Sequence, residues 1–271
     1  IKVLIWNLIQ FKKWKRTEAY IKIRSSNAET QLMAMPLALA MSVNVCFMLG
    51  MVFVPRLWSV VEYLFPLAII AFVAISILAF DMLGKFLGRA LTTGGFSCIA
   101  NNSFAQALPA FALSMIGVGL AAPAGMSAAP LVSGIGLVLS TFFLVAAMLI
   151  GVIALVLGIR SLLENGADIE TAPTLSIFIP LLTVTGILVL RQSHGLGEHF
   201  AQASGSASRL MMLSQFLSAQ LLFALLTWAV LRRLGYAQRY IFGKEASVGS
   251  YALVCPGVAL AVMIQFWLNR G

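Results

Sequence analysis

MPLALAMSV at residues 35–43, LPAFALSMI at 108–116, IPLLTVTGI at 179–187 and CPGVALAVM at 255–263 share one pattern. Each puts a proline second and follows it with small and aliphatic residues. Pro36, Pro109, Pro180 and Pro256 are spaced by 73, 71 and 76 residues. Self-similarity at a nearly constant period marks a repeated structural unit. The surrounding segments are long and almost free of charge. The unit is therefore read as a helical hairpin that crosses a membrane and returns, one proline-bearing helix followed by one return helix.

The composition agrees. The 271-residue chain is 61% hydrophobic and 10% charged, with a mean hydropathy of +0.97; a soluble domain carries about 25% charged residues. About 20 apolar residues cross a hydrocarbon core roughly 30 Å thick. On that measure seven complete spans are expected at 31–54, 57–83, 103–122, 130–161, 173–191, 209–233 and 247–268. They are expected to be helices, because unpaired backbone groups are not tolerated in lipid. The fold class is thus an all-α integral membrane protein of helical hairpins. The opening IKVLIWNLIQ is too short to span, carries no signal-peptide pattern, and reads as the tail of a helix that begins earlier.

Orientation follows from lysine and arginine. One set of alternate loops holds thirteen, among them Lys12, Lys13, Lys15, Arg16, Lys22, Arg24, Lys85, Arg89, Arg232 and Arg233; the other holds four, Arg56, Arg191, Arg209 and Arg270. The first set is expected in the cytoplasm, which accounts for the formal charge of +9. The FKKWKR run abuts a membrane helix, so it is read as a cytoplasmic flank and no nucleic-acid partner is expected.

Beyond their prolines the four helices carry small and hydroxyl residues: Ser42 and Asn44, Ser114 and Gly117, Thr183, Thr185 and Gly186, then Gly257, Ala259 and Ala261. Return helices such as LVSGIGLVLSTFFLVAAMLIGVIALVLGI, residues 131–159, are bulkier and read as lipid-facing. A proline removes a backbone donor and bends a helix. Four helices bent at one depth would surround a narrow axis; close packing of small residues without a pore is the plainer alternative. No lysine or arginine is expected in the middle of a proline-bearing helix. The polar groups along such an axis would then be hydroxyls, Asn44 and backbone amides exposed near the bends.

Other groups carry less. Glu62 and Asp81 read as interfacial, Asp81 pairing with Lys85 at i+4; proton coupling through Glu62 is the alternative. His194, Glu198 and His199 fall in an expected outer loop with no further ligand beside them, so no metal is expected. TTGGF at 92–96 lacks the spacing and lysine of a phosphate loop and reads as a turn. Cys46, Cys98 and Cys255 show no ligand spacing. No cofactor and no enzymatic activity are expected: a retinal protein needs a lysine inside its last helix, and a haem or quinol anchor needs a ligand cluster at one depth.

The proline-centred segments, the SFAQALPAFA start at 103–112 and the basic stretch KKWKRTEAYIKIR before the first complete span resemble the slow-type anion channels of plants and the bacterial tellurite-resistance/dicarboxylate transporters. That resemblance implies a ten-helix fold in five hairpins with the kinked helices around a central pore; the chain would hold the end of helix 2 through helix 9. It also implies channel-like transport of small inorganic or organic anions, or coupled export of a dicarboxylate or of a sulfur, selenium or tellurium oxyanion. Further implications are a homotrimer with one pore per subunit and, here, a bacterial inner membrane. In known members a phenylalanine before the ninth-helix kink plugs the pore. Cys255 stands at that position, so Tyr251, Phe178 and Phe111 become the candidates to occlude the axis, ordinary packing being the alternative for each. A non-conducting protein of the same fold is a third reading.

Overall fold

The computed structural model describes residues 2–94, 103–200 and 205–270. Among them there is no strand, and seven helical runs are long and apolar enough to cross a membrane: Ala28–Phe53, Val61–Thr93, Phe104–Met126, Pro130–Asn165, Ala172–His199, Ser206–Arg233 and Val248–Asn269. These coincide with the expected spans, except that the second runs on to Thr93 and the fifth to His199. Thr92 and Thr93 of TTGGF, read from the sequence as a turn, are the last residues of the second run and Gly94 caps it, while Gly95, Phe96 and Cys98 lie outside the described residues.

Two short helices come first, α1 (Lys2–Trp14) and α2 (Glu18–Arg24), with Trp14 and Tyr20 edge to face at 5.2 Å across the turn. The proline-bearing helices are α3 (Ala34–Phe53), α5 (Leu108–Met126), α7 (Phe178–His199) and α9 (Val254–Arg270); the return helices are α4 (Val61–Thr93), α6 (Pro130–Asn165) and α8 (Ser206–Arg233). Each proline-bearing helix is fed by a 3₁₀ segment: Asn27–Met33, Phe104–Ala107, Ala172–Ile177 and Val248–Leu253. All four prolines are buried, and each is the second or third residue of its α-helix.

The sequence leads one to expect bends within the helices. The structure instead puts the change of pitch at their beginning, where 3₁₀ gives way to α. The first N–H groups of any α-helix have no partner inside it, so a proline there forfeits nothing. Ser26 and Ser247 start the first and last 3₁₀ segments by accepting the N–H of Ala28 and of Gly249 on their hydroxyls. The prolines truly inside α-helices are Pro66 in α4 and Pro123 in α5.

Helix α5 is the axis of the packing. In its most apolar stretch 89% of residues are buried, against 61% for α7 and 11–33% for the others. Its small residues let neighbours come close, the means by which helices associate in lipid, where apolar burial drives little. Helix α6 meets it along Ser133, Gly136, Ser140, Phe143, Ala147, Gly151, Ala154, Gly158 and Ser161, mostly small and three or four apart, and turns Leu131, Val138, Met148 and Leu163 outward. A Cβ on Gly136 would stand 2.9 Å from the Leu120 carbonyl oxygen. Helices α5 and α7 touch backbone to backbone, since a Cβ on Gly195 would lie 2.0 Å from the Ala124 oxygen and one on Gly125 2.7 Å from the Arg191 oxygen.

Polar side chains join the same helices. Gln192 donates to the hydroxyls of Ser140 and Thr141 at 2.9 and 3.0 Å, and Ser133 donates to the Ala124 carbonyl at 2.7 Å. Successive proline-bearing helices also meet through side chains. Asn44 reaches the Met115 sulfur at 3.6 Å, Ser114 and Thr185 bond at 2.9 Å, and Thr183 donates to the Ala259 carbonyl at 3.1 Å; the partners are 71, 71 and 76 residues apart.

Gly195→Ala is expected to separate α5 from α7 and to destabilise the detergent-solubilised protein by about 2 kcal/mol or more, as overpacking against backbone does. Gly134→Ala, where nothing lies within 4 Å of the added Cβ, is expected to be neutral or to stabilise by up to about 1 kcal/mol through improved helix propensity. Thermal unfolding of the two variants beside the wild type checks the contrast.

Candidate transport pathway

Beside α5 lies a cavity of about 670 Å³. Its walls come from α3, α5, α7 and α9 and from α4, which contributes Phe65 and Phe72, while α6 and α8 contribute none of the lining residues. The ring of Phe72 fills the notch left by Gly119, where a Cβ would stand 2.1 Å from the ring. Along α5 the cavity runs from Phe111 to Met126, about 22 Å of helix at 1.5 Å per residue. The walls are apolar almost throughout, with Met41, Met48, Met51, Met115 and Met126 prominent among them.

Among the described residues, one charged side chain lines this cavity: Arg191. The expected fifth span ended at this residue and assigned it to the outer mouth. In the structure α7 continues through Gly195 and Gly197 to His199, so Arg191 sits inside a proline-bearing helix, contrary to the expectation that none holds a mid-helix arginine. Helical side chains lean toward the N-terminus, and Arg191 leans back down the bundle to donate from Nη1 to the Val118 carbonyl at 2.7 Å. No ion pair involves it among the described residues. A guanidinium has five N–H groups. One bond to a carbonyl leaves most of them available to whatever enters the cavity.

A periodic signal for this residue exists in the sequence. Pro180, Val184, Ile187 and Arg191 recur at three- and four-residue steps on one face of α7, and all four line the cavity. Read as a helix face, rather than as the end of an apolar run, that spacing points inward. Pro123 is a second omission: it also lines the cavity and cannot donate to the Gly119 carbonyl four residues back.

The other expected site residues divide. Asn44, Phe111, Pro180, Thr183 and Cys255 line the cavity. Asn44 spends its amide donors on the Ala40 carbonyl and the Met115 sulfur. Thr183 shares its proton between the Ile179 and Ala259 carbonyls and accepts from Gln220, a fully buried side chain on α8. Ser114 is fully buried between α5 and α7. Phe178 is held by Phe104 at 5.4 Å and by Phe223, stacked at 4.8 Å. Tyr251 is 79% exposed. Pro36, Pro109 and Pro256 are buried outside the cavity walls.

At the end of the bundle opposite the basic loops, Glu62 ties α4 to the α5–α6 turn. Its carboxylate accepts from the Ser127 hydroxyl and from the N–H groups of Ala128 at 3.1 Å and Ala129 at 3.4 Å, beside the start of α6 where a negative charge is favoured. His199 meets the Ser127 carbonyl through Nε2 at 2.8 Å. No group of three metal-ligating side chains is present among the described residues. At the basic end the Asp81–Lys85 pair forms at 2.6 Å. Buried Glu29, which the sequence did not single out, pairs with Arg24 at 3.1 Å and Arg89 at 2.7 Å.

Comparisons with protein-family models, with curated proteins and with solved structures return no match to this chain.

Cys46 and Cys255 are both exposed, but only Cys255 lines the cavity. With Cys98 and either Cys46 or Cys255 replaced by serine, a charged, membrane-impermeant thiol reagent is expected to modify Cys255 at least tenfold faster than Cys46. Mass spectrometry after timed quenching measures the two rates; equal rates would show that water does not reach the cavity.

Proposed function

We propose that this chain transports small anions across a membrane, by a pathway of which the 670 Å³ cavity is the central part. The observation that carries this reading is Arg191, a cation with no carboxylate partner among the described residues, facing an apolar cavity. A charge inside a membrane span is costly and is retained where it serves a pathway or a ligand. Against the apolar walls that flank it, its field is less screened than in open water and favours an anion as the occupant.

Three further features support the reading. The proline-bearing helices contact each other at separations of 71 and 76 residues, the period of the prolines themselves, as hairpin repeats around one axis would. Lysine and arginine crowd one end of the bundle and would raise the local anion concentration at that mouth, on the cytoplasmic side by the charge rule. The resemblance to slow-type anion channels and tellurite-resistance/dicarboxylate transporters points to the same activity, in a trimer with a pathway in each subunit. Phe111, near the basic end of the cavity and 6% exposed, takes the part of constriction that Cys255 is too small to fill.

A carrier with a saturable site is the second reading, and Arg191 is the reason to hold it: a half-buried guanidinium retains an anion longer than hydroxyls do.

In proteoliposomes, Arg191→Gln is expected to lower anion flux at least tenfold, Arg191→Lys to retain part of it, and Phe111→Ala to raise it. Weakly hydrated nitrate and thiocyanate should pass faster than chloride, since apolar walls return little of the lost hydration energy. Flux that Arg191→Gln leaves intact would sink the assignment of this pathway. Flux that saturates with anion concentration would select the carrier over the channel.

A further inference from the structure

The cavity's polar inventory narrows the occupant beyond "anion". Of its polar side chains, Asn44 and Thr183 have their donors committed to protein acceptors. Trp58 adds a neutral indole N–H and Cys255 a weak thiol donor, so the Arg191 guanidinium is the wall group with charged donors to offer, and no second cation stands on the walls among the described residues. A planar guanidinium suits the two oxygens of a carboxylate or the face of a sulfonate. Apart from Trp58 and Cys255, the rest of the surface is methionine, phenylalanine, proline, glycine and aliphatic side chain. A volume of about 670 Å³ lies within the range of cavities that enclose drug-sized organic ligands, about 300–1,000 Å³. A lone nitrate or chloride would leave most of that space to water against apolar walls. A dicarboxylate would put its second charge on methionine and phenylalanine, an uncompensated burial.

We infer that the cavity takes an amphiphilic organic monoanion: one carboxylate or sulfonate held by Arg191 and an apolar body lying among the methionines. Five methionines on one cavity are a surface that adapts to bodies of differing shape, because an unbranched thioether repacks at little cost. The site therefore selects by charge count and by apolar volume more than by outline. The carboxylate lies toward the Val118 level of α5, where the guanidinium is anchored. The body extends from there along α3 and α9, whose wall residues include Met41, Met48, Val258 and Phe266. This assignment rests on the reading of the cavity as the anion site, and it changes which anion that site holds best.

The test is calorimetric titration of the intact protein in lipid nanodiscs with 4-phenylbutyrate, its neutral amide, succinate and chloride, each referenced to empty nanodiscs. Phenylbutyrate is expected to bind at least tenfold more tightly than each of the other three. Arg191→Gln is expected to abolish that advantage over the amide, and Arg191→Lys to keep part of it. Should Arg191→Gln fail to fold, the acid–amide comparison on the wild type and the lysine variant carry the test. Equal binding of acid and amide, unaltered binding in Arg191→Gln, or tighter binding of succinate or chloride would each overturn the inference. Nitrate flux in proteoliposomes separates it from the transport reading. Arg191-dependent flux without phenylbutyrate binding defeats the ligand assignment alone, whereas Arg191-dependent binding without flux of any anion defeats the transport reading alone.

Discussion

Two backbones approach each other at Gly125 and Gly195 more closely than any side chain would allow. That approach sets the separation of α5 and α7, and the chemistry of the cavity depends on it. With the helices this near, the side chain of Arg191 reaches the Val118 carbonyl and stays inside the bundle. Held even one methyl group farther apart, the same arginine would lose its anchor and extend toward the interface, as long basic side chains do near helix ends. Gly117 against Leu188 and Gly136 against the turn at Leu120 extend this tight contact around α5. The interior of the protein is thus organised by the absence of side chains at glycines of α5, α6 and α7, which is the way helices pack where lipid makes apolar burial worth little.

The polar groups form two populations. Ser114, Thr185, Gln192, Ser140 and Ser133 bond to one another or to carbonyls and hold helix against helix. Each is worth on the order of 0.6 kcal/mol in a membrane setting, so they set register more than stability. Arg191 alone combines a charge, a cavity and unspent donors. Glu62 and Glu29, the other ionisable groups drawn into the packing, are satisfied locally: one by hydroxyl and amide donors at the start of α6, the other by two arginines. This division is why the functional reading rests on one residue.

The spans and the seven-helix architecture were legible in the sequence because a charge-free run of about 20 residues has few structural alternatives. The four prolines were legible as a pattern, but their effect was not. A proline is expected to kink a helix, and only the structure shows 3₁₀ turns delivering each one to a helix start. The facing of side chains was the least legible property. A helix apolar all round carries no stripe to say which side is inward, so Ser114, Phe178 and Tyr251 could be nominated for the axis as readily as Asn44 and Thr183. Their rotation is decided by contacts such as Phe178 on Phe223 and Thr183 with Gln220. Arg191 was missed for a related reason: a charge followed by two glycines reads as the end of a span. Those glycines are instead a packing surface that lets the helix continue.

The 3₁₀ segments also bear on thickness. At about 1.5 Å per residue, the 17-residue α9 is roughly 26 Å long, short of a hydrocarbon core of about 30 Å. The six-residue 3₁₀ segment before it rises about 2.0 Å per residue and adds roughly 12 Å, a third more than the same residues would give as α-helix. Together they reach roughly 38 Å, so the start of the segment extends roughly 8 Å beyond the core. That surplus lies on the basic side, at the end away from Glu62 and His199.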